Sequence, residues 1–285
     1  MRSTPKNPTI TKNVIDIIQT YFRSVYAGII HRNLWKDVNT YCLFIGYHRS
    51  GHSLIGALLN AHPNMMVAHE LGDLKYVYAG FSRWQIYYLL MKKAQLSGEK
   101  GRKLGGYIYD IPNQWQGRVK NLQVIGDKHG EGTTLRIQAN SRYISRLRNI
   151  INVNIKFIHI VRNPYDNITT MAKKNPEFNR DLNKSINYYF SLCDTIAQFK
   201  TTINSDDIFE CKHELFINDP KNQLKNLCDF LGVEASDDYL NDCAKVVYKS
   251  PHKARYDVDW NSELIDLVKN RIEQFSFLHG YSYED

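Results

Sequence analysis

The chain has 285 residues, of which 43% are hydrophobic, and its 37 Lys and Arg residues outnumber its 29 Asp and Glu residues. This length and apolar content suffice for one large core. The net charge of +8 predicts attraction to anionic ligands, but no zinc-finger spacing or aromatic RNA-binding signature is present, so no nucleic-acid partner is expected. Five cysteines without a C-x-x-C pair indicate reduced thiols and a cytoplasmic protein, rather than a disulfide framework or a structural zinc site.

The N-terminal part of the chain is predicted to be an accessory element rather than a domain. Residues 1–40 predict a short polar arm and then an amphipathic helix, from about Ile10 to Ile30, that packs on the domain. The arm lacks a long apolar run, so neither a signal peptide nor a membrane anchor is expected. Because no later boundary is visible, residues 41–285 are predicted to form a single domain.

Residues 41–63 carry the pattern of a strand, a tight loop and a helix. Tyr41 to Ile45 is a short apolar run typical of a buried strand. Gly46 to Gly51 follows as a loop with a glycine at each end, and apolar residues then recur at helical spacing from Ser53 to His62. Because this geometry directs backbone N–H groups and the positive end of a helix dipole to one point, it predicts an anion site.

The loop matches the frame of a phosphate-binding P-loop, G-x-x-x-x-G-K-[ST], with one change. Gly46, Gly51 and Ser53 occupy the frame, but position 52 is His rather than Lys. A nucleoside triphosphatase uses that lysine on the β- and γ-phosphates beside magnesium. Arg49 is the fixed cation here, so the loop is predicted to hold a phosphate-like group while being poorly equipped for ATP hydrolysis. The alternative is a helix-entry turn without a ligand.

Further strands are predicted at residues 65–68, 122–126, 155–161 and 208–211. Helices are predicted at residues 72–94, 133–149, 164–171, 181–200, 219–232, 236–247 and 262–277. Strands that alternate with helices form right-handed β-α-β units, so the fold class is predicted to be α/β, with three layers and a central parallel sheet. The glycine-rich segment 97–120 is predicted to be a long loop or lid that closes over an acceptor.

Polar side chains follow the predicted strands at their carboxyl ends, where parallel sheets bind ligands. The second strand ends at Glu70, and the third is followed by Lys128 and His129. The fourth ends in Arg162, where a nucleoside triphosphatase places an Asp for magnesium, and Thr170 lies two helical turns further on. Because an arginine offers a planar fork to phosphate oxygens, this edge is predicted to hold two anionic groups without a metal.

At these residues the sequence resembles the sulfotransferase family, whose donor is 3′-phosphoadenosine 5′-phosphosulfate (PAPS). Residues 47–53, YHRSGHS, resemble the family's 5′-phosphosulfate loop, and residues 161–168, VRNPYDNI, resemble its 3′-phosphate motif. Residues 214–232 resemble the segment after the fifth strand, and residues 277–281 resemble the end of the C-terminal helix. The resemblance runs from about residue 40 to the C-terminus and implies a sulfotransferase fold of the P-loop type.

The resemblance also implies which residues hold the donor. Arg49 and the loop around it are expected to bind the 5′-phosphosulfate, while Arg162 and Thr170 bind the 3′-phosphate. Lys253 and Arg255 correspond to a basic loop that closes on the nucleotide, with a solvated pair of charges as the alternative. The expected donor-binding residues are His48, Arg49, Ser50, Gly51, His52 (where cytosolic members often carry Thr), Ser53, Arg162, Thr170, Lys253 and Arg255.

Sulfuryl transfer needs positive charge for the leaving oxygen and a base for the acceptor's proton. Arg49 and Lys128 are expected to supply the charge. Glu70 occupies the place of the carboxylate base of bacterial and Golgi-type members, while His129 is one residue short of the spacing in cytosolic members, so Glu70 is favoured. The expected acceptor is a hydroxyl or amine of a sugar, lipid or small metabolite, with adenosine 3′,5′-bisphosphate (PAP) as product. No metal is expected, since the histidines show no ligand spacing.

Two other functions compete with this interpretation. A P-loop kinase or nucleotidase would need magnesium and a Lys at position 52, and the sequence offers neither signal. A non-catalytic module with a degenerate site would bind a nucleotide or a polyanion without transferring a group.

Overall fold

The computed structural model describes residues 8–101, 103–104 and 107–285, with side chains described from Ile15 onward except at residue 104. The strands are β1 (Thr40–Ile45), β2 (Met65–His69), β3 (Lys103–Leu104), β4 (Tyr107–Ile108), β5 (Val124–Lys128), β6 (Asn154–Val161) and β7 (Ile208–Lys212). The helices are α1 (Pro8–Ile30), α2 (His52–Asn60), α3 (Leu74–Tyr78), α4 (Arg83–Ser97), α5 (Gly130–Ala139), α6 (Arg142–Ile151), α7 (Pro164–Lys174), α8 (Leu182–Lys200), α9 (His213–Asn218), α10 (Pro220–Leu231), α11 (Asp237–Lys245) and α12 (Ser262–Ile272). Short 3₁₀ helices lie at Arg32–Trp35, Ser205–Asp207, Ala254–Asp257 and Ser276–Leu278.

Five strands form one parallel sheet with β1 at its centre. The strand order is β2-β5-β1-β6-β7, and each pairing in it is parallel. Strand β1 is buried along its whole length, as a strand covered by helices on both faces must be. The next two strands of the sheet in chain order, β2 and β5, lie on one side of β1, and the last two, β6 and β7, lie on its other side. Such a change of direction places a crevice at the carboxyl end of β1. The predicted α/β class with a central parallel sheet is confirmed.

Alternate residues of β1 contribute to two separate cores. Tyr41, Leu43 and Ile45 join the cluster under α3, α4, α6, α7, α8 and α12. Cys42 and Phe44 join the cluster under α2, α10 and α11. Because successive side chains of a strand point to opposite faces, this one strand anchors three layers. All five cysteines are buried free thiols, as predicted.

The third strand of the sheet, in chain order, is longer at its carboxyl end than predicted. β5 ends at Lys128, because its ladder continues with Asp127 opposite Leu43 of β1 and Lys128 opposite His69 of β2. Asp127 and Lys128 therefore belong to the strand and point to opposite faces of the sheet. Of the three polar residues predicted to follow this strand, residues 127–129, only His129 does so.

Two predicted helical stretches are each divided in the structure. Residues 72–94 contain α3 and α4, because a capping box formed by Ser82 and Gln85 starts a new helix. Residues 133–149 contain parts of α5 and α6, which separate at Asn140, where the backbone is extended. Both stretches are mostly helical, as predicted, but each contains two helices rather than one.

The segment 97–120 carries the β3–β4 hairpin and is fastened at its base. Residues 102, 105 and 106 lie outside the described part of the chain. A Cβ on Gly98 would lie only 1.9 Å from the carbonyl oxygen of Gln116, and the N–H of Gly117 donates to the carbonyl of Asn60 at 2.7 Å. These contacts form a neck that holds the two ends of the segment together against the end of α2. That the segment acts as a lid stays a prediction.

Helix α1 begins at Pro8 and packs on α4. The Gln85 side chain donates to the Tyr21 carbonyl and to the Ser24 hydroxyl, both at 3.1 Å. Most of the predicted N-terminal arm, residues 1–7, lies outside the described part. No described helix has both the length and the apolarity that crossing a membrane requires.

Candidate active site

The loop of residues 46–51 is a fastened turn between β1 and α2. The Thr134 hydroxyl accepts from the N–H of Gly46 at 3.0 Å and donates to its carbonyl at 3.1 Å. Gly51 has a φ of 93°, in the region that favours glycine, and a Cβ there would lie 2.4 Å from the ring of His213. The loop therefore brings the backbone tightly around to the N-terminus of α2, the geometry of an anion site.

Arg49 holds a strained position within this loop. Its φ is 66°, which is uncommon for a residue with a side chain. Its carbonyl accepts a hydrogen bond from Arg162 at 3.2 Å, which helps to hold that backbone conformation. Within the described residues, no hydrogen bond or ion pair engages its guanidinium. The side chain is therefore available to an external anion.

The two histidines of the loop are engaged within the protein. Nε2 of His48 lies 2.5 Å from Oε2 of Glu131, whose other oxygen accepts from the Tyr188 hydroxyl at 2.8 Å. Nδ1 of His52 lies 3.1 Å from Oγ of Ser50. Burial holds the pKa of His52 well below its usual value. A neutral His52 can shape the loop, but it does not replace the charge of the P-loop lysine.

Arg162 connects the loop to the second predicted anion pocket. The residue is 7% exposed, and its Nη1 donates to the carbonyl of Arg49 and, at 3.4 Å, to Oγ1 of Thr170. Its Nη2 donates to the carbonyl of His252 at 2.6 Å. Its Nε is buried without a partner among the described residues. The structure thus joins Arg49, Arg162 and Thr170 at one place, with one buried donor left for a ligand.

The two basic residues of segment 252–255 have different surroundings. Lys253 is exposed. Arg255 is 1% exposed, and it pairs with Asp166 at 3.3 Å and donates to the carbonyl of Asp285. Nη1 and Nη2 of Arg255 are occupied inside the protein, while its Nε is buried without a partner among the described residues. The visible role of Arg255 is therefore to fasten the segment to α7 beside Arg162. Contact of either residue with a nucleotide stays a prediction.

Lys128 links the first turn of α2 to the end of β2. Its Nζ donates to Oε1 of Glu70 at 2.7 Å and to Oγ of Ser53 at 3.2 Å. The side chain crosses α2 at Gly56, where a Cβ would lie 2.6 Å from Cγ of Lys128. Burial lowers the pKa of Lys128, and the ion pair with Glu70 opposes that shift. The ammonium group therefore lies beside the loop, where it can stabilise negative charge.

Both candidate bases lie beside Lys128. Burial alone would raise the pKa of Glu70, but its ion pair with Lys128 brings that pKa below its usual value, so the carboxylate is ionised at neutral pH. The ring of His129 is close to Gly72 and Gly132, whose added Cβ atoms would lie 3.3 and 2.3 Å from it. Burial lowers the pKa of His129, so this imidazole is neutral at pH 7 and able to accept a proton.

A buried polar network holds the turn that carries Glu70. Asp127 accepts from the N–H groups of residues 71–73 at 3.0, 2.7 and 3.2 Å. Asp73 accepts from the hydroxyl of Tyr41, and burial, together with repulsion from Asp127, raises its pKa to about 7. The network ties the turn to β1 and β5, which explains how Glu70 keeps a left-handed backbone with φ of 58°.

Several residues that hold the loop were not singled out in the sequence. They are Thr134, Asn167 and His213. Asn167 donates to the carbonyl of His48 at 2.7 Å, and it lies inside residues 161–168, so the nucleotide motif contained a signal for it. Thr134 and His213 carry no pattern of their own, because their partners in the loop are distant in the sequence.

The assembled edge carries two connected sets of basic and polar residues. The loop with Arg49 forms one set, Arg162 and Thr170 form the other, and the hydrogen bond from Arg162 to the Arg49 carbonyl joins them. Lys128, Glu70 and His129 lie on the opposite side of the loop, at the ends of β2 and β5. Among the described residues, no group of three or more His, Cys, Asp or Glu side chains is placed to hold a metal ion.

Comparison with known proteins identifies chains of similar sequence and fold. A family model described as "Sulfotransferase family" matches residues 43–237. The sulfotransferase domain from the curacin biosynthetic pathway aligns with a TM-score of 0.52 and 14% identity, covering 83% of this chain and 96% of that chain. Sulfotransferase STF9 from Mycobacterium avium aligns with a TM-score of 0.51 and 10% identity, covering 96% and 88%. Sulfotransferase STF1 from Mycobacterium tuberculosis aligns with a TM-score of 0.50 and 10% identity, covering 90% and 80%.

At such identities the structural likeness concerns the fold alone. The search of curated proteins gave no match.

Proposed function

Because this chain belongs to the sulfotransferase family, we propose that it transfers a sulfuryl group from PAPS to a hydroxyl or amine of a sugar, lipid or small metabolite. The observation that supports this donor most strongly is the hydrogen bond from Arg162 to the Arg49 carbonyl, because it joins two positive pockets into one site. PAPS carries a phosphosulfate at one end and a 3′-phosphate at the other, so it presents two anionic groups to such a site.

The unpaired groups of the site fit this donor. In the proposal, Arg49 and the backbone N–H groups of residues 50–53 hold the 5′-phosphosulfate. Thr170 and Arg162, with its unpartnered buried Nε, hold the 3′-phosphate. The exposed Lys253 approaches the nucleotide from segment 252–255, which Arg255 fastens in place.

The proposed reaction is an in-line transfer that needs no metal. The acceptor oxygen or nitrogen forms a bond to sulfur, while the bond between sulfur and the 5′-phosphate oxygen breaks and PAP leaves. Lys128 and Arg49 stabilise the negative charge that develops on the leaving oxygen. Glu70 takes the proton of the acceptor, and its ion pair with Lys128 places the base and the charge stabiliser side by side.

His129 is the second candidate base, and paired variants decide between the two. Glu70→Gln should lower kcat by roughly 10²- to 10⁴-fold, the usual effect of removing a general base, while PAP affinity is retained. His129→Ala should change kcat less than Glu70→Gln does. The reverse ranking would assign the base to His129.

Donor binding tests the proposal before any acceptor is known. PAP should raise the unfolding temperature of the full chain, and ATP with magnesium should not. A magnesium-dependent shift with ATP alone would favour a kinase or nucleotidase. A metabolite extract incubated with PAPS and the protein, then analysed by mass spectrometry, should contain sulfated products that are missing without the protein. PAP binding with no sulfated product would favour a non-catalytic binding module.

A further inference from the structure

The surface beyond the two candidate bases carries cations without acidic partners. Lys75 lies on α3, the first helix after Glu70, and Arg136 lies on α5, two turns after His129. Both residues are half-buried. In the part of the chain that the structure describes, neither side chain makes an ion pair or a hydrogen bond.

These two cations are close enough to repel each other. After burial, Arg136 is the next cause that lowers the pKa of Lys75. The carboxylates that attract Lys75 are Asp127 and Asp73, and both are already occupied by the network that holds the Glu70 turn. Because neither carboxylate forms an ion pair with Lys75 or Arg136 among the described residues, an external anion placed between the two cations would relieve their repulsion.

Aromatic rings extend this pair into a continuous surface. Cζ of Arg136 lies 5.9 Å from the ring centre of Tyr143, and Tyr143 packs on Tyr78 at 5.3 Å between ring centres. Cζ of Arg146 lies 5.1 Å from the ring centre of Tyr78, which is 55% exposed. We call Lys75, Tyr78, Arg136, Tyr143 and Arg146 the basic-aromatic wall.

We propose that the basic-aromatic wall binds an anionic group of the acceptor, so that the acceptor carries a carboxylate, phosphate or sulfate in addition to its reactive hydroxyl or amine. The inference rests on the proposed function, because it assigns the acceptor side of that same site. Lys75 and Arg136 hold the anion, since the arginine fork suits planar and tetrahedral oxyanions alike. Tyr78 and Arg146, further from Glu70, hold the body of the acceptor by contact with an aromatic face.

Direct binding of small charged probes tests the wall. The full chain is first saturated with PAP, so that the proposed donor site is already filled. The probes are glucose 6-phosphate, glucose 6-sulfate and glucuronate, with uncharged glucose as the matched control, and binding is followed by changes in the NMR spectrum. At least one charged probe should bind saturably and more tightly than glucose. Charged probes that bind no better than glucose would overturn the proposal.

Matched variants assign that binding to the wall. The double variant Lys75→Gln with Arg136→Gln should weaken binding of the charged probe at least about tenfold, because two charge-assisted contacts are lost. Arg142→Gln is the control, since Arg142 is an exposed arginine on α6 outside the wall. The proposal would also be overturned if the double variant lost no affinity for the charged probe. The same holds if Arg142→Gln lost as much affinity as the single variant Arg136→Gln.

The same design separates failure of the wall from failure of the proposed function. PAP affinity is measured in every variant and should stay unchanged, and a wild-type chain that does not bind PAP would count against the donor. The probe titration would then be repeated without PAP. Tighter binding of a charged probe than of glucose would still support the wall, and equal binding would still overturn it. In turnover, sulfated products should arise from the extract fraction that an anion-exchange resin retains, and products confined to the unretained fraction would contradict an anionic acceptor.

Discussion

The two halves of the sheet edge are built on different principles. On the β1–β6 half, Arg162 is buried and has three protein partners, and Asn167 and Thr134 fasten the loop by hydrogen bonds. On the β2–β5 half, the Glu70 side chain is 45% exposed, and Lys75 and Arg136 are not paired within the described residues. The proposed donor half is therefore largely fixed before a ligand arrives, although the guanidinium of Arg49 has no partner among the described residues. The proposed acceptor half contains the Lys128–Glu70 ion pair, but Lys75 and Arg136 form no ion pair within the described residues.

Lys128 lies between the halves, and among the variants below its loss should have the largest effect. Lys128→Met removes the charge that is proposed to stabilise the leaving oxygen, so kcat should fall roughly 10²- to 10³-fold. PAP lacks the sulfuryl group, so its affinity should change only a few-fold. Steady-state kinetics and PAP titration check both parts, with Lys269→Met on the exposed face of α12 as control. Equal losses of kcat and of PAP affinity would show that Lys128 belongs to the donor half.

Arg162 tests the donor half by itself. Arg162→Ala should raise the Kd of PAP by about 10²-fold, since two or more charge-assisted hydrogen bonds are lost. Arg162→Lys keeps the charge but not the fork, and should still weaken binding about tenfold. Calorimetric titration measures both constants, and Arg148→Ala, an exposed arginine on α6, is the control. Unchanged PAP affinity in Arg162→Ala would contradict the proposal that Arg162 binds the 3′-phosphate.

Gly56 connects the two halves. It lies on α2, the helix that follows the loop, and its lack of a side chain leaves space for Lys128. Gly56→Ala should displace Lys128, since the added Cβ would lie 2.6 Å from its Cγ, and kcat should fall about tenfold, as it does when a catalytic group is misplaced. Helix propensity favours alanine by roughly 1 kcal/mol, so stability should not fall in proportion.

The double variant Gly56→Ala with Lys128→Met provides the control for this prediction. It should be no slower than Lys128→Met alone, because the two changes act through the same side chain. Additive losses would mean that the glycine acts by another route.

Asp73 gives the smallest effect, which concerns stability and not turnover. Its folded pKa is about 7, against 3.8 as the ordinary value, so the folded state binds this proton more tightly than the unfolded chain does. Stability from this group is complete at low pH and is lost as the pH rises from about 4 to about 7. Asp73→Asn does not titrate, so its Tm relative to the wild type should rise by roughly 2 to 5 °C between pH 5 and pH 8. A constant difference across that range would contradict the assignment.

The sequence predicted the donor half far better than the acceptor half. The positions of the sheet strands, the start of α7 at Pro164 and the grouping of Arg49 with Arg162 follow from local patterns: apolar runs, a proline in the first turn, and strand ends that meet at one edge. The predicted carboxyl end of β5 was wrong because composition alone assigns Asp127 and Lys128 to a loop. Their place in the strand depends on pairing with β1 and β2.

The basic-aromatic wall was not predicted, because its contacts join residues that are far apart in the sequence. Tyr78 and Arg146, or Lys75 and Arg136, belong to separate helices, and no local pattern pairs them. Composition alone does not separate the buried from the exposed aromatic residues of the stretch 72–94: Tyr87 is 1% exposed, whereas Tyr78 is 55% exposed.

Because the neck at Gly98 and Gly117 holds the ends of the intervening segment together, the length of that segment can change without moving the rest of the molecule. Chain inserted or removed between residues 99 and 110 enters and leaves at the same two points, because Gln116 and Asn60 hold the base closed. The segment is thus an exchangeable cassette: a hairpin of different size from a relative can be grafted there without moving any strand of the sheet. Differences in size among relatives should concentrate at this position, which makes the segment a natural place to begin changing the size of the hairpin.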